Sequence, residues 1–282
     1  MHVERARELG LCFGVRRAVN MLRDSARTYG SLQTLGPLAH NHVLLQELEA
    51  LGVTTANSPS ELTGPAVVVS AHGVGPDTMS LLTERGFTIV DTTCPNVGRA
   101  QHIAAEMARD GFTIVIFGDS AHTEVRGLLG WAGDRGIATL DASALESSRT
   151  PPVPAGVGII SQTTQRVEEF TAFAQRVCAT VLAVSQEVRI VNTLCDATLR
   201  RQSAAADLAR TVDAMVVIGG HASANTQRLA ETCATIVETY LVETADEIEE
   251  ALLRGKKRIG LTAGASTPDS SIREVESRLR AL

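Results

Sequence analysis

One arrangement recurs three times along this chain and sets strict limits on its fold. Cys12 opens CFGVRRAV, Cys94 opens CPNVGRAQ and Cys195 opens CDATLRRQ, and each cysteine has an arginine five residues on, at Arg17, Arg99 and Arg200. An amphipathic helical pattern follows each cysteine: AVNMLRDSARTYG, AQHIAAEMARDG and QSAAADLARTV. A strand-like run comes next (LQTLG, FTIVIFG, AMVVIGG), and then a polar loop that opens another helix (PLAHNHV, DSAHTEV, HASANTQ). The polar side chains keep step, because His40, His122 and Ser223 each lie 28 residues beyond their cysteine. A second strand and polar loop complete each copy: VVVSAHGVG with His72, VGIISQTTQ with Thr163 and Thr164, and RIGLTAGASTPD with Ser266.

A period near 90 residues is too long for a solenoid repeat and suits small α/β units with right-handed crossovers. The expected fold is α/β: three pseudo-repeated small domains with parallel sheets, at residues 1–93, 94–187 and 188–282. The last helix, SSIREVESRLRAL, closes the third domain or packs back on the first. The breaker-rich stretch SSRTPPVPAG (147–156) reads as a surface loop within the second. Ligands of open parallel sheets bind beyond the carboxyl ends of the strands, where the polar loops lie. The cysteines stand at helix starts on the same side, so pseudo-threefold symmetry would point three thiols at one axis.

Five cysteines, at 12, 94, 178, 195 and 233, make an odd count without a disulfide-type framework. Cys178 and Cys233 sit inside apolar helical patterns and read as buried core thiols. Thiolates at helix starts are favoured by the helix dipole and make good metal ligands. The C-x-x-C pairs of structural zinc sites are lacking. Cys12, Cys94 and Cys195 therefore fit a 4Fe–4S cluster with three irons held by protein and the fourth open to substrate. A three-cysteine zinc site with an open position stays as the alternative. The loops offer neutral to basic donors at helix starts, which suit a small anion such as phosphate or diphosphate. No P-loop or dinucleotide fingerprint occurs. Any one of these histidines or serines serves equally well as a loop cap, and it is the recurrence that favours a ligand. Glu124, two residues after His122, is either a proton donor to a leaving group or a helix-start carboxylate stabilised by the dipole.

Composition removes several functions. Only 3% of residues are aromatic, which leaves few platforms for stacking bases or sugars, and the net charge of −6 opposes nucleic acid and anionic membranes. No apolar run approaches the ~18 residues of a membrane span, and the charged start MHVERARELG lacks the apolar stretch of a signal peptide. The expectation is a cytoplasmic protein.

The motifs GLCFGVRRAV, AHNHV, SAHGV, TTCPNV, HTEVRG, SQTT, NTLCDAT, SANTQRL and TAGASTPD, in this order over nearly the whole chain, resemble the IspH/LytB family of 4-hydroxy-3-methylbut-2-enyl diphosphate reductases. The resemblance implies three α/β domains around a central 4Fe–4S cluster held by Cys12, Cys94 and Cys195. It implies diphosphate ligands at His40, His72, His122, Ser223, Asn225 and Ser266. It also implies a proton-relay glutamate at Glu124, and a threonine near the substrate hydroxyl at Thr163 with Thr164 supporting the loop. The implied reaction is reductive removal of a hydroxyl, with ferredoxin or flavodoxin as electron donor. The chain departs from the common pattern at Thr123, where many members have proline, and at Ala224, where many have serine. The competing readings are a quinolinate synthase-like enzyme, which the HTEV and SANTQRL loops oppose, and an iron–sulfur sensor, which would need the cluster but not the donors.

Overall fold

The structure, a computed structural model, describes residues 1–147 and 156–282. The proposed surface loop at 147–156 lies almost wholly outside the described residues. Twelve strands are found among the described residues: β1 (His2–Arg5), β2 (Leu32–Leu35), β3 (Val53–Ala56), β4 (Ala66–Val69), β5 (Thr88–Asp91), β6 (Phe112–Phe117), β7 (Gly136–Thr139), β8 (Gly156–Ser161), β9 (Val188–Ile190), β10 (Ala214–Ile218), β11 (Thr239–Val242) and β12 (Arg258–Ala263). Helices α1 (Phe13–Tyr29), α2 (His42–Glu49), α3 (Pro76–Glu84), α4 (Pro95–Arg109), α5 (Thr123–Ala132), α6 (Ala144–Ser147), α7 (Val167–Val181), α8 (Asp196–Ala209), α9 (Ala224–Ala234) and α10 (Asp269–Ala281) alternate with them.

The strands form three four-stranded sheets, ordered β3-β2-β4-β5, β7-β6-β8-β9 and β11-β10-β12-β1 when each is read from the same side. The order is the same in all three, with the third sheet completed by the first strand of the chain. Registers are parallel, as in Ile114↔Gly158, Val216↔Leu261 and Val68↔Val90. The α/β class expected from the repeat is the class observed. In each sheet the chain moves outward on one side and then returns to the other, so the order reverses between β2 and β4, β6 and β8, and β10 and β12. These reversals are the topological switch points at which open sheets bind ligands. The loops bearing His40, His72, His122, Thr163, Ser223 and Ser266 all leave those six strands at their carboxyl ends.

Chain packing divides the described residues into two compact units. One comprises Met1–Leu32, Pro37–Thr55 and Asp196–Leu282, and the other Gln33–Gly36 and Ala56–Cys195. In the second, β6 is buried along its full length, as expected for a strand with helices on both faces. Phe112, Ile114 and Ile116 pack with Ala100, Ala104 and Leu128 from α4 and α5. Each such large side chain contributes roughly 1.5–3 kcal/mol through burial. In the first unit, β10 is likewise buried throughout, and Val3 of β1 joins Ile259, Leu261, Ile272, Val275 and Leu279 in one core. The last helix thus packs on the sheet that holds the first strand, and Arg5 forms an ion pair with Glu276.

The repeat is also visible in burial. The residues six, seven and ten places beyond the cysteine are buried in all three helices: Ala18, Val19 and Leu22; Ala100, Gln101 and Ala104; Arg201, Gln202 and Ala205. Cys233 is buried, as its apolar helical pattern indicates, and desolvation pushes its thiol up to about 12. Cys178 is not a core residue. It is half-buried and lines an open groove with Phe170, Ala174, Leu182 and Ile190. The helical apolar pattern there locates the buried face of α7 through Phe170, Phe173, Ala174 and Val177, and Cys178 falls one residue beyond it.

Candidate active site

Each of the three repeated cysteines ends the run that follows an edge strand and stands at the start of a helix. Cys12 and Cys94 are the N-caps of α1 and α4, and Cys195 immediately precedes α8. Pro95 explains the break at Cys94. A residue before proline is held extended, and proline is well tolerated in the first helical turn, where its missing N–H costs nothing.

Backbone hydrogen bonds then fix all three in the same way. The N–H of Cys94 donates to Ala71 O (3.0 Å), that of Cys195 to Thr163 O (2.9 Å) and that of Cys12 to Ala265 O (3.0 Å). The acceptors lie in the loops after β4, β8 and β12. Each cysteine is therefore anchored to a switch-point loop of the sheet whose edge strand precedes it. Cys12 Sγ accepts the N–H of Val15 at 3.4 Å, and Cys195 Sγ accepts the side-chain amide of Asn96 at 3.0 Å. None of the five cysteines is in a disulfide. Partly exposed sulfurs at helix starts that accept N–H donors suit thiolate ligands.

In the second unit the loop after β6 and the loop after β8 meet at Glu124. This carboxyl is only 2% exposed. Thr163 donates its N–H to Oε1 at 2.6 Å and its hydroxyl to Oε2 at 2.9 Å. Desolvation pushes the Glu124 carboxyl up to about 7, against the opposing pull of the two Thr163 hydrogen bonds. His122 caps α5, and its Nδ1 accepts the Glu124 N–H at 3.2 Å, so a neutral ring carries its proton on Nε2. The rings of His72 and His122 meet edge to face with centroids 5.7 Å apart. The His72 loop is held on α5 by the Trp131 indole N–H, which donates to Val74 O at 2.9 Å, and by an approach of Gly75 to Gly130 that leaves little room for any Cβ. Thr164 accepts from the Gln162 side chain at 3.0 Å and so supports the loop.

In the first unit the Ser223 loop follows β10 and the Ser266 loop follows β12. Ser223 caps α9, its Oγ accepting the N–H of Thr226 at 3.4 Å. Asn225 and Ser266 are buried, yet Asn225 Nδ2 and Ser266 Oγ have no hydrogen-bond partner among the described residues. Such orphans are rare in folded proteins, and each calls for an explanation. His40 lies against this loop, because a Cβ on Gly220 would run into the His40 carbonyl. Burial holds the His40 imidazole below its ordinary value.

The first unit thus holds Cys12, His40, Ser223, Asn225 and Ser266, and the second holds Cys94, Cys195, His72, His122, Glu124 and Thr163. One contributor is not evident from the spacing. The repeat singles out Arg99 and Arg200, and Arg99 does reach the loop before Cys195, donating to Asn192 O at 3.2 Å. In α8 the corresponding contact is made by Arg201, which is buried and donates to Gly10 O (2.9 Å), just ahead of Cys12. Its signal is a charged residue at a helical position where the other copies have alanine.

Three parallel α/β sheets, each with a cysteine at a helix start and polar side chains at its switch point, define the class of fold to which this chain belongs. The model of the LytB protein family matches residues 3–280, and the chain belongs to that family. It is 46% identical over 282 residues to a 4-hydroxy-3-methylbut-2-enyl diphosphate reductase of Dehalococcoides mccartyi, covering 100% of this chain and 99% of that one. It is 39% identical to a reductase of the same name from Geobacter metallireducens, over 99% and 97%. A solved (E)-4-hydroxy-3-methyl-but-2-enyl diphosphate reductase, described as the terminal enzyme of the non-mevalonate pathway, aligns over 100% of both chains with a TM-score of 0.74 and 35% identity. The corresponding Plasmodium falciparum reductase shares the fold, with a TM-score of 0.91 over 98% of this chain and 87% of that one, at 21% identity.

Proposed function

We propose that this chain is a 4-hydroxy-3-methylbut-2-enyl diphosphate reductase, removing the substrate hydroxyl to give isopentenyl and dimethylallyl diphosphate in the last step of the methylerythritol phosphate route. The observation that carries the reading is Glu124, a buried carboxyl that keeps its proton to about pH 7. A general acid needs that poise to protonate a departing hydroxyl near neutrality.

Cys12, Cys94 and Cys195 would hold a 4Fe–4S cluster. The donor set suits it, since three thiolates at helix starts leave one iron without a protein ligand. When bound, that group supplies electrons and a Lewis-acid position for the substrate oxygen. The rest of the chemistry belongs to this chain's own side chains. Thr163, already hydrogen-bonded to Glu124, links the carboxyl to the substrate hydroxyl. His40, His72, His122, Ser223, Asn225 and Ser266 bind the diphosphate. Asn225 Nδ2 and Ser266 Oγ are supported in this role by their lack of any partner among the described residues. Many fixed donors on one end of a small substrate orient the other end without further entropy loss.

The electrons would come from a ferredoxin or flavodoxin, and the enzyme would act in the cytoplasm. Among the described residues no helix is long and apolar enough to cross a membrane.

The test is anaerobic turnover of 4-hydroxy-3-methylbut-2-enyl diphosphate by cluster-reconstituted protein with a chemical reductant, with products followed by mass spectrometry. Isopentenyl and dimethylallyl diphosphate are the expected products. No product from protein holding about four irons and four sulfides would overturn the assignment.

A further inference from the structure

The threefold likeness of the cysteine-capped helices stops at their outer faces. The residue after the cysteine is Phe13 in α1, Pro95 in α4 and Asp196 in α8. Phe13 is 70% exposed, a large aromatic ring standing in water at the start of the helix. Phe13, Arg16, Asn20, Arg23 and Arg27 follow one another at spacings of three or four, so they lie in one stripe along α1, and all five are exposed. The stripe contains no carboxylate. On α8 the first exposed position is itself acidic, and on α4 Arg99 is committed to Asn192.

Arg16, Asn20 and Arg23 also line an open cavity of about 290 Å³ together with Arg273 from α10. Three carboxylates face the same surface. Arg27 pairs with Asp24 at 3.5 Å, Glu47 accepts a hydrogen bond from Ser270, and Asp269 lines the cavity. Four arginines against three carboxylates make a basic face on a chain whose net charge is −6. The arginines of this face are complementary to an acidic partner.

We propose that the exposed face of α1, with Phe13 at its start and Arg16, Arg23 and the neighbouring Arg273 beyond it, is the docking surface for an acidic one-electron carrier protein. The inference rests on the reductase reading, which requires electrons from outside the chain. A carrier seated on Phe13 is one residue from the Cys12 sulfur. Each reduced carrier gives up one electron and is itself oxidised by one. Two encounters supply the two electrons that, with two protons, replace the substrate C–O bond by a C–H bond and release one water. The arrangement suits a small transient interface: an aromatic anchor beside a row of arginines that sets encounter rate and orientation.

The experiment uses the cluster-loaded full chain with reduced flavodoxin as the probe. It measures binding by calorimetry across a salt series, and turnover with flavodoxin and separately with dithionite. Arg16→Glu combined with Arg23→Glu should weaken flavodoxin binding about tenfold or more and flatten its salt dependence. Phe13→Ser should weaken it about fivefold or more at every salt concentration. Turnover with dithionite should stay within about twofold of the parent for all variants, and Arg254→Glu, on exposed surface elsewhere, should leave flavodoxin affinity unchanged. Unaltered flavodoxin binding in both α1 variants, or equal weakening by Arg254→Glu, would overturn the docking surface, as would failure of the parent chain to bind flavodoxin at low salt. Absence of turnover even with dithionite would instead overturn the reductase reading.

Discussion

Glu124 has both carboxylate oxygens taken by Thr163 and its N–H taken by His122, whereas Asn225 and Ser266 are also buried and present Nδ2 and Oγ to nothing among the described residues. The first region is complete as folded. The second carries buried donors that cost roughly 1–3 kcal/mol each while unanswered. In the proposed reaction the contrast separates two tasks. A group that must hold and release a proton has to be positioned before the substrate arrives. Donors for a multiply charged anion can wait for it, because the anion itself brings the acceptors. Stability is thus given up at Asn225 and Ser266 and kept at Glu124.

The contrast makes different demands on substitutions in the two regions. The largest effect should come from Glu124→Gln, which keeps the hydrogen-bonding shape but has no proton to give. It should lower kcat by about 10²–10⁴-fold with KM little changed, and a shift in KM with kcat preserved would place Glu124 with the binding donors.

The next effect is on stability against pH. The folded protein holds a proton on Glu124 up to about pH 7, above the ordinary carboxyl value of 4.5. The stabilisation is therefore complete below pH 4.5 and is lost as pH rises through 7, amounting to roughly 3 kcal/mol. Glu124→Gln should consequently be the more stable protein above pH 7, and the difference should close toward pH 4.5 in thermal melts. A constant difference across that range would mean that the carboxyl is ionised throughout.

Thr163→Val removes the hydroxyl that satisfies Glu124 Oε2 and should destabilise the fold by about 1–3 kcal/mol, read from denaturant midpoints. Ser266→Ala should do the reverse. With no partner to lose, it should leave the midpoint unchanged or raise it, while KM rises about tenfold, equivalent to roughly 1–2 kcal/mol of binding. Loss of stability in Ser266→Ala would show that its hydroxyl is already satisfied and would erase the contrast. The smallest change is expected from Ala224→Ser beside Asn225, which adds a hydroxyl donor and should lower KM by a few-fold.

Much of this architecture is legible in the order of the residues alone. The 28-residue spacing from cysteine to His40, His122 and Ser223 locates the first switch-point loop of every sheet, since loop lengths in a repeated α/β unit hold equivalent residues in equivalent places. The helix starts at Cys12 and Cys94 follow from the break in pattern, and at Cys94 from Pro95. What stays hidden depends on partners rather than positions. The backbone bond from Cys12 to Ala265 uses groups that every residue has, so no side chain announces it. Spacing singles out Arg200, but the helical turn puts Arg201 on the buried face and leaves Arg200 exposed. The four residues of β1 give no sign of which edge they will join. The orphaned Nδ2 of Asn225 is a statement about its surroundings, which the sequence does not contain.

The pairing of β1 with β12, His2 opposite Arg258, has a consequence for how the protein is made. The first strand leaves the ribosome more than 250 residues before its partner exists. The sheets β3-β2-β4-β5 and β7-β6-β8-β9 consist of strands that are all synthesised before β10, so they can form while translation continues. The last sheet cannot be finished until β12 has been made. Until then Cys12 lacks the Ala265 carbonyl that anchors its backbone N–H. The anchorage of Cys12 is in this way the last of the three to become possible, after those of Cys94 on Ala71 and Cys195 on Thr163.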